Sequence, residues 1–412
     1  MIQTRRLYYE DSYRKEFTAR VMDCREGKRG WLILLDQTAF YPEGGGQPAD
    51  HGLLFVTYPD ACGEQEGKKK EDAALQLGIE VTDVHEKDGE ILHRTQEPIP
   101  AGSLVIGQID WERRFDLMQQ HSGEHMVSGL IHSRFGYNNV GFHLGSDVVT
   151  IDFDGLLTAE DVKEIEANVN ALIWENTPVE IFYPSPEELS VLDYRSKKEL
   201  TQDVRIVRFP GADTCACCGT HVAGTGAVGM AKLLSVTGFR EGVRIEMICG
   251  RRVLTYLNQI NEQNHRISVR LSAKIDRTAE AVDRLAEENF QQKGRILTLE
   301  EEAFAAKARE QAGKGNVLLL ERGLASDSVR KLCDTVMQTC GGRCAVFSEN
   351  PDGSFKYAIG QKDADLRTLV KEMNQALSGR GGGKPFFVQG SVKASLAEIQ
   401  TFWNQAAGDG TK

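Results

Sequence analysis

Two separate segments carry the side chains with the most chemistry: His121-Ser122-Gly123-Glu124-His125 and Cys217-Cys218-Gly219-Thr220-His221. Imidazoles at i and i+4 lie on one face of a helix, one turn apart. The second segment offers a thiolate and an imidazole across a glycine-containing tight turn. Three imidazoles and a thiolate form a borderline-soft, tetrahedral ligand set of the kind Zn²⁺ takes. The spacing therefore points to one metal site built from His121, His125, Cys217 and His221. Two other readings stay open on the first segment alone. A histidine pair at this spacing also arises as a satisfied pair on a core helix. His121-x-x-Glu124-His125 also has the form of inverted zinc proteases, with Glu124 as general base, although the more familiar His-Glu-x-x-His order is absent. Such a protease takes a carboxylate as third ligand, whereas Cys217 and His221 complete a set without one. Cys215 and Cys218 lack the Cys-x-x-x-His spacing and are read as spare thiols, and His132 and His143 as structural.

The elements that must position these groups follow from periodicity. From Trp111 the pattern is helical, with Phe115, Met118, His121, His125 and His132 on one face, so both ligand imidazoles point inward. Buried imidazoles need partners, which a metal would supply. A strand over 147–153 follows. Thr158-Ala159-Glu160-Asp161 then reads as a capping-box variant opening a helix lined by Val162, Ile165, Val169, Leu172 and Ile173, with Pro178 as its stop. Residues 179–183, 204–208, 227–236 and 243–249 read as strands, with the Cys/His cluster between the second and third. The result is an α+β domain over 101–250 with ligands on one helix and one loop.

Residues 1–100 alternate in short runs, 17–24, 31–35, 79–84 and 90–93, broken by Glu26-Gly27-Lys28 and Lys87-Asp88-Gly89, and predict a small β-barrel or sandwich. The Lys-rich stretch 63–72 reads as a solvated loop. Between strands, Gly44, Gly45 and Gly46 serve either a φ > 0 turn, close approach to a ligand, or a mobile hairpin loop. Residues 251–312 form a helical linker or coiled-coil arm, with Val253, Leu257, Ile260, Ile275, Val282 and Leu285 at helical spacing and Gly294 as its weak point. Its basic first half, Arg251 to Lys274, is read as a solvated face before an RNA stripe. Residues 313–412 predict an α/β domain: strands at 317–321, 344–348 and 355–359, an N-capped helix over 326–339, a second helix through Leu366 to Leu377, and a last one over 395–405. Gly379 to Lys384 superficially matches a phosphate loop. The spacing is one residue short and Pro385 stands where Ser or Thr would ligate Mg²⁺, so nucleotide hydrolysis is excluded.

Composition agrees. A chain of 412 residues is longer than one core supports and predicts two or three domains. Without an apolar leader, and with apolar runs too short for a bilayer, a cytoplasmic protein with no membrane partner is expected. Nine cysteines, three of them crowded at 215, 217 and 218, suit reduced thiols with a metal-binding subset better than a disulfide framework. The net charge of -11 argues against indiscriminate nucleic-acid binding but leaves room for a local basic surface.

Five motifs in order resemble one family: Thr38 to Gln47, Asp110-Trp-Glu-Arg-Arg with the His121/His125 helix, Gly141 to Gly145 leading into Ile151-Asp-Phe-Asp, Cys217-x-x-x-His221, and Gly242-Val-Arg-Ile-Glu246. They are similar to the editing region of alanyl-tRNA synthetases and to the free-standing alanyl-tRNA editing proteins. The tail, with Gly379 to Pro385 and Gln389-Gly390, looks like the DHH-associated C-terminal domain of the synthetase and of the long free-standing form. No aminoacylation domain precedes the motifs, so the resemblance implies a trans-acting deacylase. Its partner would be tRNA(Ala) mischarged with serine or glycine, and its cofactor one Zn²⁺ on His121, His125, Cys217 and His221. It further implies Thr38 and Gln47 as catalytic residues, with the Thr38 hydroxyl discriminating a serine side chain. Gly44, Gly45 and Gly46 would approach substrate, Arg380 and Lys384 would contact tRNA, and the C-terminal region is a candidate homodimer surface. The metal would either activate water or only orient substrate. A zinc metallopeptidase of the inverted-motif type and a non-catalytic tRNA-binding module with structural zinc are the alternatives. Glu124 and Cys218 depart from the family pattern.

Overall fold

In the N-terminal segment, apolar side chains alternate along six strands that close on themselves. The computed structural model describes residues 4–57, 78–196 and 204–408, and the stretch 63–72 lies outside them. Strands β1 (Glu16–Gly27), β2 (Gly30–Leu35), β3 (Gly52–Thr57), β4 (Ile79–Lys87), β5 (Glu90–Thr95) and β6 (Leu104–Ile109) form a closed antiparallel barrel in the order β1-β2-β5-β4-β3-β6. Closure leaves no unpaired edge. Val21, Ile33, Leu35, Leu54, Val81, Val84 and Val105 fill its interior, burial that stabilises by roughly 1.5 to 3 kcal/mol per large side chain.

Beyond the barrel, helix α1 (Trp111–Phe135) begins at Asp110, whose carboxylate accepts the Arg113 N–H at 3.1 Å. Such a cap contributes about 1 kcal/mol. The helix is buried along most of its length because sheets flank it. One sheet, β12-β13-β8-β7, comprises β7 (Asn139–Leu144), β8 (Val149–Phe153), β12 (Ala231–Phe239) and β13 (Gly242–Cys249). The other consists of β9 (Glu180–Phe182), β10 (Ile206–Phe209) and β11 (Asp213–Ala216). Met118, Met126, Val127 and Ile131 of α1 share one core with Ile151, Ile245, Met247, Val207 and Phe209. Helix α2 (Ala159–Glu175) packs on that core and carries the expected capping box between Thr158 and Asp161. It ends at Glu175, with Asn176 in the left-handed conformation.

A buried ion pair fastens barrel to helix. Arg114 on α1 donates from Nε to both Asp50 oxygens at 2.9 Å, from Nη1 to Ser12 O at 3.0 Å and from Nη2 to Ala39 O at 2.6 Å. Asp50 also accepts the Tyr41 N–H at 2.6 Å. Both side chains are shut off from solvent, so each depends on the other for its solvation.

The chain divides into two compact units, Met1–Gln263 and Asn264–Lys412, with the boundary inside helix α3 (Arg251–Leu271). Helix α4 (Thr278–Glu310) runs through Gly294 without a break, so the expected weak point is absorbed. The second unit has a sheet of order β14-β15-β16-β18-β17: β14 (Gly315–Arg322), β15 (Gly341–Glu349), β16 (Phe355–Gly360), β17 (Arg380–Lys384) and β18 (Phe387–Val392). Only the first pair is parallel. Helices α5 (Ser326–Met337), α6 (Arg367–Ala376) and α7 (Leu396–Gly408) complete it. The predicted N-cap of α5 is corrected: the capping position is Ala325, with no side-chain cap bond, and Ser326 is already helical. The segment over 227–236 is also revised, because residues Thr225–Val228 form a 3₁₀ turn and the strand begins at Ala231. No described helix is long and apolar enough to cross a membrane.

Candidate metal centre and cavity

Helix α1 presents His121 and His125 inward, as their spacing predicts, and both are nearly fully buried. The turn after β11 brings Cys217 and His221 to the same point. Ligand atoms of all four residues lie within 4.8 Å of one another. His221 Nε2 is 3.3 Å and His121 Nε2 3.6 Å from Cys217 Sγ. A tetrahedral centre with Zn–N near 2.0 Å and Zn–S near 2.3 Å requires N···S separations of about 3.5 Å, so this donor set fits zinc.

Each imidazole is oriented from behind. Gln47 Oε1 accepts from His121 Nδ1 at 3.0 Å and from the Thr220 N–H at 3.0 Å, while Gln47 Nε2 donates to Thr220 Oγ1 at 2.8 Å. The Thr220 bonds fix which way the Gln47 amide points, and hence leave the His121 Nδ1 proton facing a carbonyl. His125 Nδ1 donates to Asp213 Oδ2 at 2.8 Å. His221 Nδ1 lies 3.2 Å from Ser122 Oγ. Nε2 of His121 and of His221 thus faces the sulfur, with outer hydrogen bonds of the kind that tune metal-ligating histidines.

The electrostatics agree. Burial alone would raise the Cys217 thiol, but His121, His221 and His125 overcome it and hold the group well below its ordinary range. Burial lowers His125, yet the Cys217 thiolate and the Asp213 bond raise it well above the usual value. His221 is pushed down to about 3, chiefly by burial and then by the charge of His121. The cluster therefore pairs a thiolate with a proton held on His125, the proton that a soft cation would displace on binding.

The ligand loops are shaped by close approach. A Cβ on Gly219 would sit 2.2 Å from His121 Cε1 and 2.9 Å from Gln47 Oε1, so no other residue fits without displacing the ligand. Gly44 and Gln47 exchange backbone hydrogen bonds around Gly45 and Gly46, whose φ values are +59° and +86°. Positive φ at both central residues is the tightest hairpin turn and selects glycine. A Cβ on Gly46 would also meet the Phe142 ring at 2.7 Å, and Phe142 stacks on His121 with ring centres 5.5 Å apart.

The centre opens on a cavity of about 1070 Å³ whose lining includes Gly45, Gly46, His121, Glu124, His125 and Cys217. Thr38 and Gln47 are not among the lining residues. Gln47 is fully buried behind His121, where it orients the ring rather than facing substrate. Thr38 is fully buried in the barrel, donating to His93 Nε2 at 2.8 Å and accepting the Phe40 N–H at 3.1 Å. Both its hydrogen-bonding roles are spent on the fold. Gly44 shapes the turn but does not line the cavity. Arg380 and Lys384 lie in the second unit on the exposed strand β17, paired with β18. A strand, not a loop entering a helix, occupies the glycine-rich stretch, which is why it is no phosphate loop. Glu124 is tied to Ser128 and Asn139. His132 Nδ1 bonds Tyr137 O at 3.1 Å, and neither it nor His143 joins the cluster.

Several contributors have no signature in the sequence. Asp213 receives His125 and also a two-point bond from Arg195, Nε to Oδ1 at 2.7 Å and Nη2 to Oδ2 at 2.8 Å. Arg205 Nη1 donates to Cys217 O and Gly219 O at 2.8 and 3.0 Å, pinning the ligand turn. Cys215 lies near His125 and Asp213, but Arg195 already occupies both Asp213 oxygens, so this trio is support for the first centre rather than a second one.

Comparison with known proteins places this geometry. Residues 204–246, which carry the Cys217/His221 turn, match the family described as the threonyl and alanyl tRNA synthetase second additional domain, and residues 313–408 match the DHHA1 domain. The chain is 28% identical to the alanyl-tRNA editing protein AlaX-L of Pyrococcus horikoshii over 96% of both chains. It is 30% identical to alanine–tRNA ligases of Halorubrum lacusprofundi and Ignicoccus hospitalis, matching over 94% and 92% of its own length. It spans only 42% and 40% of those two ligases.

Proposed function

We propose, because the chain belongs to the family of alanyl-tRNA editing proteins, that it is a trans-acting deacylase that hydrolyses the ester of tRNA(Ala) mischarged with serine or glycine. The observation that carries this reading is the convergence of His121, His125, Cys217 and His221 on one wall of a cavity large enough for an aminoacylated adenosine, with every imidazole held by an outer partner. His121, His125, Cys217 and His221 would hold a zinc ion, which when bound would supply positive charge beside the ester. Gln47, Asp213 and Ser122 keep the three rings in register, so the centre needs no rearrangement during the reaction. The Gly45-Gly46 turn, lacking side chains, lets backbone approach the acceptor end. Water adds to the ester carbonyl carbon, the bond to the ribose oxygen breaks, and the free amino acid and tRNA leave. An aminoacyl ester is activated enough to need positioning and oxyanion stabilisation without a covalent nucleophile.

Arg380 and Lys384 are assigned to tRNA contact, where their effect would be salt-dependent, and the C-terminal region to self-association. The peptidase alternative is disfavoured because, among the described residues, no carboxylate joins the ligand set. The test is release of amino acid from Ser-, Gly- and Ala-tRNA(Ala) by zinc-loaded and chelated protein. Serine release that is lost on chelation and in Cys217→Ala is expected, with Ala-tRNA(Ala) spared. Equal rates on Ala-tRNA(Ala) would remove proofreading.

A further inference from the structure

Glu124 is the cavity residue that the ligand set leaves without a role. It stands on α1 between His121 and His125, is 4% exposed, and lines the cavity. Its Oε1 accepts the Ser128 hydroxyl and the Asn139 amide, each at 2.6 Å. Its Oε2 accepts no hydrogen bond from the described residues. The two donors lock the carboxylate in one orientation and leave one oxygen available. The two arginines on the wall are matched, Arg195 by Asp213, with Glu124 a weaker electrostatic neighbour, and Arg208 by Glu180 at 3.1 Å. A buried carboxylate with a vacant oxygen is costly until a cation completes it.

The aminoacyl ester carries one such cation. We propose that Glu124 receives the α-ammonium group of the substrate and selects for aminoacyl esters with a free, charged amine, irrespective of their side chain. The inference rests on the deacylase reading. It explains why a carboxylate can sit beside a metal ligand without joining the ligand set.

Glu124→Gln is the suitable variant, because its amide oxygen still accepts from Ser128 and Asn139 while charge is lost from the other position. Hydrolysis of Ser-tRNA(Ala) and of its deaminated analogue, with hydroxyl in place of ammonium, is measured for both proteins at pH 6.5, below the usual α-amino range. The intrinsic difference in ester reactivity is common to both proteins and cancels in the ratio of their preferences. The preference of the wild-type protein for the amine is expected to fall about tenfold or more in Glu124→Gln, as loss of a charge-assisted hydrogen bond implies, mostly through KM and with bound zinc unchanged. An unchanged preference overturns the proposal. So does an equal loss of kcat on both esters, which would make Glu124 a base acting on water. If the wild-type protein hydrolyses neither ester, the deacylase reading itself falls and takes this inference with it.

Discussion

At the scale of single residues, the strongest constraint lies behind the ligands. Asp213 serves His125 and Arg195 at once, so Asp213→Ala is expected to leave all four ligands in place yet weaken zinc about 10- to 100-fold. Competition with a chromogenic chelator measures this directly, and an unchanged affinity would show the hydrogen bond to be idle. Gly219→Ala should act more severely, since its Cβ would overlap His121; metal content by atomic emission is expected to drop to background while far-ultraviolet dichroism stays close to wild type. His93 reports on the barrel. Burial lowers it to about 4, so the unfolded chain takes up the proton first as pH falls below about 6.5. Stability is then full above pH 6.5 and is lost progressively down to pH 4, by about 3 kcal/mol at 1.36 kcal/mol per unit. His93 donates from Nδ1 to Ile33 O and accepts from Thr38, bonds that glutamine can imitate. The difference between urea titrations of wild type and His93→Gln should shrink in that window, and parallel curves from pH 7 to 4 would exclude His93 as the source.

At the scale of elements, legibility followed the distance over which the physics acts. Four of the six barrel strands, β1, β2, β4 and β5, and α1 were readable because alternation and helical period are local, and the same helical period turned His121 and His125 inward; β3 and β6 were not read. Cys217 and His221 were readable because four residues of sequence hold their geometry. Strand β7 was missed, and so was β11, whose four residues are paired through β10 and adjacent backbone rather than through any pattern of their own. Asp213 on β11 was invisible for the same reason: its partners are 88 and 18 residues away. Thr38 shows the converse case. Its motif was recognisable, but only the fold reveals that His93, from a neighbouring part of the barrel, claims its hydroxyl. The Arg114 and Asp50 pair likewise joins elements across 64 residues. Arg114→Met should therefore cost roughly 3 to 5 kcal/mol by stranding Asp50, read as a fall in the urea midpoint, while the double change Arg114→Met with Asp50→Leu should recover part of it. No recovery would mean that the bonds from Arg114 to Ser12 and Ala39, rather than the uncompensated carboxylate, dominate.

At the scale of the whole molecule, every zinc-ligand candidate and every outer partner belongs to the unit Met1–Gln263, whereas the exposed strand with Arg380 and Lys384 belongs to Asn264–Lys412. Chemistry and tRNA grip are thus proposed for different cores, which unfold and are stabilised by different contacts. Binding of zinc to the native site alone stabilises by RT ln(1 + [L]/Kd), about 2.7 kcal/mol at a hundredfold excess over Kd. That gain should appear only where the ligands reside. Hydrogen exchange on the full chain is expected to slow on zinc addition in α1, β10, β11 and the turn to His221, with amides of β14 to β18 unchanged. Chelation should reverse it, and Cys217→Ala should abolish it. Protection spreading equally through the second unit would mean that the two cores open as one, and the separation of the proposed reacting site from the proposed tRNA contact would then have to be abandoned as an energetic statement even if it holds as a chemical one.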